Sequence, residues 1–221
     1  GRPIILSLSP GPAPLEQAQH LRTYANMWRI SNDFWDDWDA LKRQFPRAHH
    51  WETEIQPGGW PDADMLPLGR IGIRGEVGDD RWTNFTRDEQ RTLMTLWCIF
   101  RSPLMFGGDL PSNDDWTTAL LTHPEVLEVN QNSTNNHQSY QQEDVLAWTA
   151  DIPGTNQRYV AVFNLSDADR SIQLPWEDVD VPAQKAAVRD VWDRQDLGEH
   201  PSLSAHLSAH GSLLWRVIPT G

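Results

Sequence analysis

Between residues 27 and 38 the chain sets one guanidinium (Arg29), carboxylates at Asp33, Asp36 and Asp37, and indoles at Trp28, Trp35 and Trp38. Charged groups mixed with flat apolar rings suit a sugar site better than a core, because an indole face can stack on the apolar side of a pyranose. Asp33 stands four residues after Arg29. A carboxylic acid in an apolar setting can hold a proton and give it to a glycosidic oxygen, and Trp28, Phe34 and Trp35 could supply that setting. The structural reading of Asp33 is a helix N-cap, a position that Asp favours, and the two roles are geometrically compatible. Asp36, Asp37 and Asp39 are expected along the solvent face and first turn of the following helix, where negative charge suits the dipole.

A second constellation is Asp62, Asp64 and Met65, in a stretch from 57 to 66 loaded with turn formers. Paired carboxylates can open a calcium loop, but residues 62–67 offer no oxygen ligand at the fifth place and no glycine at the sixth, so no metal is expected. Carboxylates accepting from sugar hydroxyls are the functional reading, and plain turn formation is the structural one. His49, His50, His206 and His210 show no zinc spacing, and Cys98, the one cysteine, lies in an apolar run that predicts a buried thiol. Gly107-Gly108 lacks the Lys-Ser/Thr sequel of a phosphate loop, and no cofactor is expected.

These residues need elements to position them. Residues 4–8 read as a buried strand, 9–14 as a proline-rich loop and 15–23 as a helix. The run 27–30 reads as a strand end, after which Phe34, Trp38, Leu41 and Phe45 recur at helical spacing. Asp33 then falls on a strand-to-helix loop, where an α/β barrel carries its chemistry. Thr86 and Glu89 form a capping box for a helix over 89–100, residues 104–106 read as a strand, and Ser112 with Asp115 caps a helix to 121. Alternating strands and helices predict a parallel βα architecture over residues 1–131. Four such units make half of an eight-stranded barrel and leave raw strand edges, so a missing N-terminal half is expected. Residues 132–142 are rich in Asn, Gln, Ser and Thr and read as a linker. From 143 to 221 short apolar runs split by turns predict an antiparallel β-sandwich.

Composition narrows the partners. The chain has 221 residues, a formal charge of −13 and no Lys/Arg cluster, so nucleic acid and anionic membranes are disfavoured and a neutral substrate is the natural inference. Twelve tryptophans are far above the usual share, although any one of them could simply fill a core. No apolar run is long enough to span a membrane. The chain starts at Gly1 without a signal peptide, which predicts a piece cut from something longer. Homo-oligomerisation is left open.

Trp28-Arg29 with Asp33 and Trp38, the stretch 58–66, Leu96-Trp97 with Pro103-Leu104-Met105 and Asp109-Leu110, and the stretch 120–131 together resemble the second half of glycoside hydrolase family 27. That is the family of α-galactosidases and α-N-acetylgalactosaminidases, and the resemblance covers residues 4–131 in order. It implies strands 5–8 of a (β/α)8 barrel followed by a sandwich, and a retaining exo-hydrolase that works with two aspartates. It also implies Asp33 as acid/base and Arg29, Asp64 and Met65 as sugar contacts, with Asp62 beside them. The nucleophile, in a Tyr-x-Lys-x-Asp motif, has no counterpart here, so this segment alone is expected to be inactive. Ser9 stands where animal lysosomal galactosidases carry a Glu that senses the sugar 2-position, which resembles the N-acetylgalactosaminidase arrangement. Terminal α-galactose is the expected substrate, with N-acetylgalactosamine or β-L-arabinopyranose as alternatives from the same family. A non-catalytic carbohydrate-binding protein is the alternative from another class. Secretion or export to the periplasm would suit a polysaccharide-degrading enzyme.

Overall fold

Three short strands, β1 (Ser7–Leu8), β2 (Met27–Arg29) and β3 (Trp60–Asp62), lie parallel in the order β1-β2-β3. Between them run α1 (Ala18–Tyr24), α2 (Trp38–Lys42) and α3 (Gln44–Trp51). This computed structural model describes residues 1–75 and 77–220. They form two compact units, Gly1–Phe85 with Arg101–Thr118, and Thr86–Phe100 with Ala119–Gly221.

In the first unit the parallel register sets Arg29 opposite Asp62, so the chemistry-bearing residues emerge at the same ends of neighbouring strands. Leu66 and Phe106 add a parallel bridge. A short antiparallel hairpin, β4 (Arg70–Ile71) with β5 (Arg81–Trp82), follows β3.

Several expectations change here. Residues 4–8 are not a buried strand: only Ser7 and Leu8 pair, and Ile4, Ile5 and Leu6 are 78%, 73% and 46% exposed. Among the described residues β1 has a neighbour on one side only, so nothing covers those side chains. The helix expected from Phe34 to Phe45 instead starts at Trp38. It is followed by α3, which accommodates Pro46 in its first turn, where no intrahelical N–H is required. The turn-rich stretch at 57–66 contains β3, and Pro61 is tolerated because among the described residues β3 pairs only with β2.

In the second unit, α4 (Arg87–Phe100) starts with the expected capping box: Thr86 N–H donates to Glu89 Oε2 (2.7 Å) and Glu89 N–H to Thr86 Oγ1 (3.3 Å). Helix α5 (Asp115–Leu121) begins in the first unit, where Asp114 caps it by accepting from Thr117 N–H at 2.8 Å, while Ser112 turns to Asp109. Next come α6 (Pro124–Asn132) and β6 (Thr134–Gln142). Residues 134–142 are therefore a strand rather than an irregular linker. β6 lies at the edge of its sheet, where one side of the strand meets solvent and polar residues are at home.

The remaining strands are β7 (Val145–Asp151), β8 (Arg158–Asn164), β9 (Arg170–Leu174), β10 (Lys185–Asp190), β11 (Gln195–His200), β12 (Leu203–Leu207) and β13 (Ser212–Thr220). They form a six-stranded antiparallel sheet, β11-β10-β13-β8-β7-β6, and a two-stranded one, β12-β9. Inward residues of both sheets, among them Val160, Val188, Val217, Ile172 and Leu203, share one core with Trp176, as in a β-sandwich. Among the described residues no helix is long and apolar enough to cross a membrane.

Candidate active site

Arg29 closes β2 with its side chain only 8% exposed and directs one nitrogen, Nη2, at three acceptors. These are Ser31 C=O at 3.1 Å, Asp64 Oδ2 at 2.8 Å and Asp33 Oδ1 at 3.4 Å. Its Nε has no hydrogen-bond partner among the described residues. Asp64 also accepts from the backbone N–H of Phe34 at 2.7 Å, so one carboxylate ties the loop after β3 to the loop after β2. Asp62 in turn accepts from Asp64 N–H at 2.9 Å, and Ser102 Oγ accepts from Ala63 N–H at 3.0 Å.

Burial pushes the carboxyls of Asp62 and Asp64 above the usual range. Hydrogen bonds from backbone N–H groups and the Arg29 charge pull in the other direction without cancelling it. Asp64 holds φ at 86°, a left-handed conformation that favours glycine. A carboxylate kept there, with its side chain bonded on two sides, has its orientation fixed.

Asp33 differs from its expected surroundings. Its side chain is 87% exposed. Trp28 and Phe34 do not enclose it, because both are core residues at 0% and 1% exposure, Trp28 against Trp51 and Phe34 stacked on Phe85. It is not a helix N-cap either: Asp37 caps α2, accepting from Ala40 N–H at 2.8 Å. Asp36, expected on the solvent face, is 6% exposed, pairs with Arg81 at 2.5 Å and accepts from Asn84 N–H at 2.8 Å. Its partner is 45 positions away, beyond the reach of any local pattern.

The structure thus brings together Arg29, Asp33, Asp62 and Asp64. Met65 continues the Asp64 loop and packs close to Gly107, where a Cβ would come within 2.5 Å of its sulfur. Ser9 is exposed on the loop after β1, which is held beside the others by Ala13 N–H donating to Arg29 C=O at 2.8 Å. Among the described residues no hydrogen bond joins Ser9 to the aspartates. Also among the described residues, no group of three or more His, Cys, Asp or Glu is placed to hold a metal. Sequence reasoning missed the hairpin Arg81, whose only local signal was a tryptophan neighbour.

One guanidinium among three carboxylates at the ends of parallel strands can grip hydroxyls and leave one exposed acid to exchange a proton. Comparison with known proteins gives this arrangement a setting. Residues 1–132 match the profile of α-galactosidase A, and 142–217 that of the α-galactosidase C-terminal β-sandwich domain. The α-galactosidase of Oryza sativa is 25% identical over 197 residues, which span 88% of this chain and 44% of that protein. A β-L-arabinopyranosidase from Geobacillus stearothermophilus superposes with a TM-score of 0.95 at 47% identity, covering 100% of this chain and 51% of that one. A structure described as a putative α-N-acetylgalactosaminidase from Bacillus halodurans gives 0.83 at 44%, covering 100% of this chain and 51% of that one. This chain therefore spans about half the length of these relatives or less. With a catalytic-domain profile over more than half its residues and the sandwich profile after it, the chain belongs to glycoside hydrolase family 27, whose C-terminal portion it covers.

Proposed function

We propose that this chain is the C-terminal part of a retaining exo-glycoside hydrolase that releases terminal α-D-galactopyranosyl residues, with Asp33 as acid/base. The observation that carries the reading is Arg29 held between Asp33 and Asp64 where β2 and β3 end. In this reading β1, β2, β3 and the bridge at Phe106 are strands 5–8 of a (β/α)8 barrel, and the unpaired side of β1 receives the upstream strands. A carboxylate from those strands attacks the anomeric carbon while Asp33 protonates the departing oxygen. Asp33 then takes a proton from the water that cleaves the glycosyl-enzyme. Arg29 and Asp64 hold sugar hydroxyls, Asp62 orients Asp64 through its N–H, Met65 contacts the ring, and Ser9 lies toward the 2-position.

A second reading is favoured by the 47% identity to the Geobacillus enzyme: release of β-L-arabinopyranose, which shares galactose's ring configuration and lacks its hydroxymethyl group. Rates of the full-length protein on p-nitrophenyl α-D-galactopyranoside, α-N-acetylgalactosaminide and β-L-arabinopyranoside decide between the sugars. Preference for the arabinoside would move the assignment. Sugar binding without hydrolysis of any of them would replace the enzyme by a carbohydrate-binding protein. The 221-residue chain alone is expected to hydrolyse none, since it lacks one of the two carboxylates.

A further inference from the structure

A second concave surface lies next to the Arg29–Asp64 cluster within the first unit. It is a cleft of about 540 Å³ bounded by Trp35, Met65, Ile73, Arg74, Gly75 and Asp109 among others, and Arg29, Asp33 and Asp64 do not line it. Its size is in the range of small-ligand sites. Resting on the catalytic reading above, we propose that this cleft binds the leaving-group sugar: a neutral pyranose stacked on Trp35, with its hydroxyls divided between Arg74 and Asp109.

Position is the first argument. The cleft shares Met65 with the loop of Asp64, and Trp35 is two residues beyond Asp33 on the same loop. A leaving group must lie toward the residue that protonates the glycosidic oxygen, and this cleft borders that loop at Trp35.

Construction is the second. The β4–β5 hairpin that forms one wall is anchored by two ion pairs, Arg70 with Asp80 and Arg81 with Asp36. The Arg81 guanidinium sits 5.9 Å from the centroid of the Trp35 ring, which fixes the indole and occupies one of its faces. Where the walls approach the floor they carry no side chain. A Cβ on Gly75 would come 2.9 Å from the Trp35 ring edge, and one on Gly107 would come 2.5 Å from the Met65 sulfur.

Charge is the third. Two of the hairpin's arginines, Arg70 and Arg81, are ion-paired, whereas Arg74 has no such pair among the described residues. Across the cleft, Asp109 accepts from Ser112 Oγ at 2.5 Å and is held in place. Arg70 also lines the cleft, with its charge met by Asp80, so among the described residues Arg74 and Asp109 offer donors and an acceptor on opposite walls. Hydroxyl groups, which both donate and accept, satisfy the two walls together, and a carboxylated sugar would face Asp109.

The test compares two substrates of the full-length protein: an oligosaccharide ending in the hydrolysed sugar, and the fluoride of that same sugar, which has no leaving sugar. For Trp35→Ala the ratio of kcat/KM on the oligosaccharide to that on the fluoride should fall about tenfold, the size of one aromatic stacking contact. Arg74→Ala should lower the ratio several-fold, and so should Gly75→Ala, whose methyl would press on the indole. Gly75 is not among the glycines with positive φ, and Arg74 is exposed, so these two variants remain informative if Trp35→Ala does not fold. Unchanged ratios, or equal losses on both substrates, would overturn the proposal. So would a preference of the unaltered protein for a uronic-acid leaving group over a neutral one. No turnover of the fluoride by the unaltered protein would instead sink the catalytic reading, and that result is seen before any variant is made.

Discussion

Changing Asp33 to Asn should remove chemistry while leaving the fold intact, and the structure sets the size of both effects. The Asp33 side chain is 87% exposed and its contact to Arg29 is 3.4 Å long, so the pair contributes at most about 1 kcal/mol. Arg29 keeps Asp64 at 2.8 Å and the Ser31 carbonyl at 3.1 Å. Unfolding free energy should therefore change by less than about 1 kcal/mol. Turnover of an oligosaccharide should fall by about 10² to 10⁴, the usual contribution of a positioned acid/base. The loss should be smaller for the first step of a glycosyl fluoride, whose departing group needs no proton. Azide, a nucleophile that needs no base, should restore part of the second step. Asp64→Ala is the contrasting control. The Asp64 side chain is 14% exposed and bonded to Arg29 and Phe34 N–H, so its removal, which leaves the buried N–H and the guanidinium without that acceptor, should cost about 2–3 kcal/mol of stability as well as activity. The assays are thermal or denaturant unfolding and steady-state kinetics on the full-length protein. Asp33→Asn turning over oligosaccharide within about threefold of the unaltered protein, against the effect expected of an acid/base, would refute the reasoning. A loss of stability matching Asp64→Ala would do the same.

Two further outcomes follow from the same contacts. Asp36→Asn should destabilise the protein by about 2–3 kcal/mol, because the buried carboxylate holds both Arg81 and Asn84 N–H, and a denaturation midpoint unmoved by the change would contradict this. Asp62→Asn should stabilise the protein at neutral pH. Burial raises the folded Asp62 carboxyl above its ordinary 3.8, so the folded state binds a proton more tightly than the unfolded one, and stability falls as pH rises through that window. The amide keeps the acceptor for Asp64 N–H without the buried charge. The gain should shrink as pH falls toward about 3.8, below which the carboxyl is protonated in both states, and a gain independent of pH would exclude this cause.

Local chemistry was legible in the sequence, and long-range pairing was not. The Thr86–Glu89 box is complete within four residues, and its reciprocal hydrogen bonds form as the spacing implies. Arg29 and Asp33 are close in sequence, but the bond from Asp64 to Phe34 N–H joins positions 30 apart, and only the resemblance to a family suggested that the two loops meet. Asp36 was misassigned for the same reason, since its burial depends on Arg81. Polarity misled in both directions at sheet edges. Strand β6 looked like a linker because an edge strand tolerates Asn, Gln and Ser, and residues 4–6 looked buried because they are apolar.

The exposure of Asp33 bears on how such a residue can be positioned at all. A side chain with few contacts of its own cannot be fixed by them, so its placement must come from the backbone on either side. Before it, Arg29 ends a paired strand and reaches back to the Ser31 carbonyl. After it, Phe34 is fully buried, stacked on Phe85 and tied through its N–H to Asp64. Asp64 keeps a left-handed backbone that glycine would adopt at lower cost, so the sequence retains a carboxylate there in spite of local strain of order 1 kcal/mol. Its side chain does what glycine could not: it bridges two loops and leaves the Asp33 side chain 87% exposed, where an incoming glycosidic oxygen can reach it.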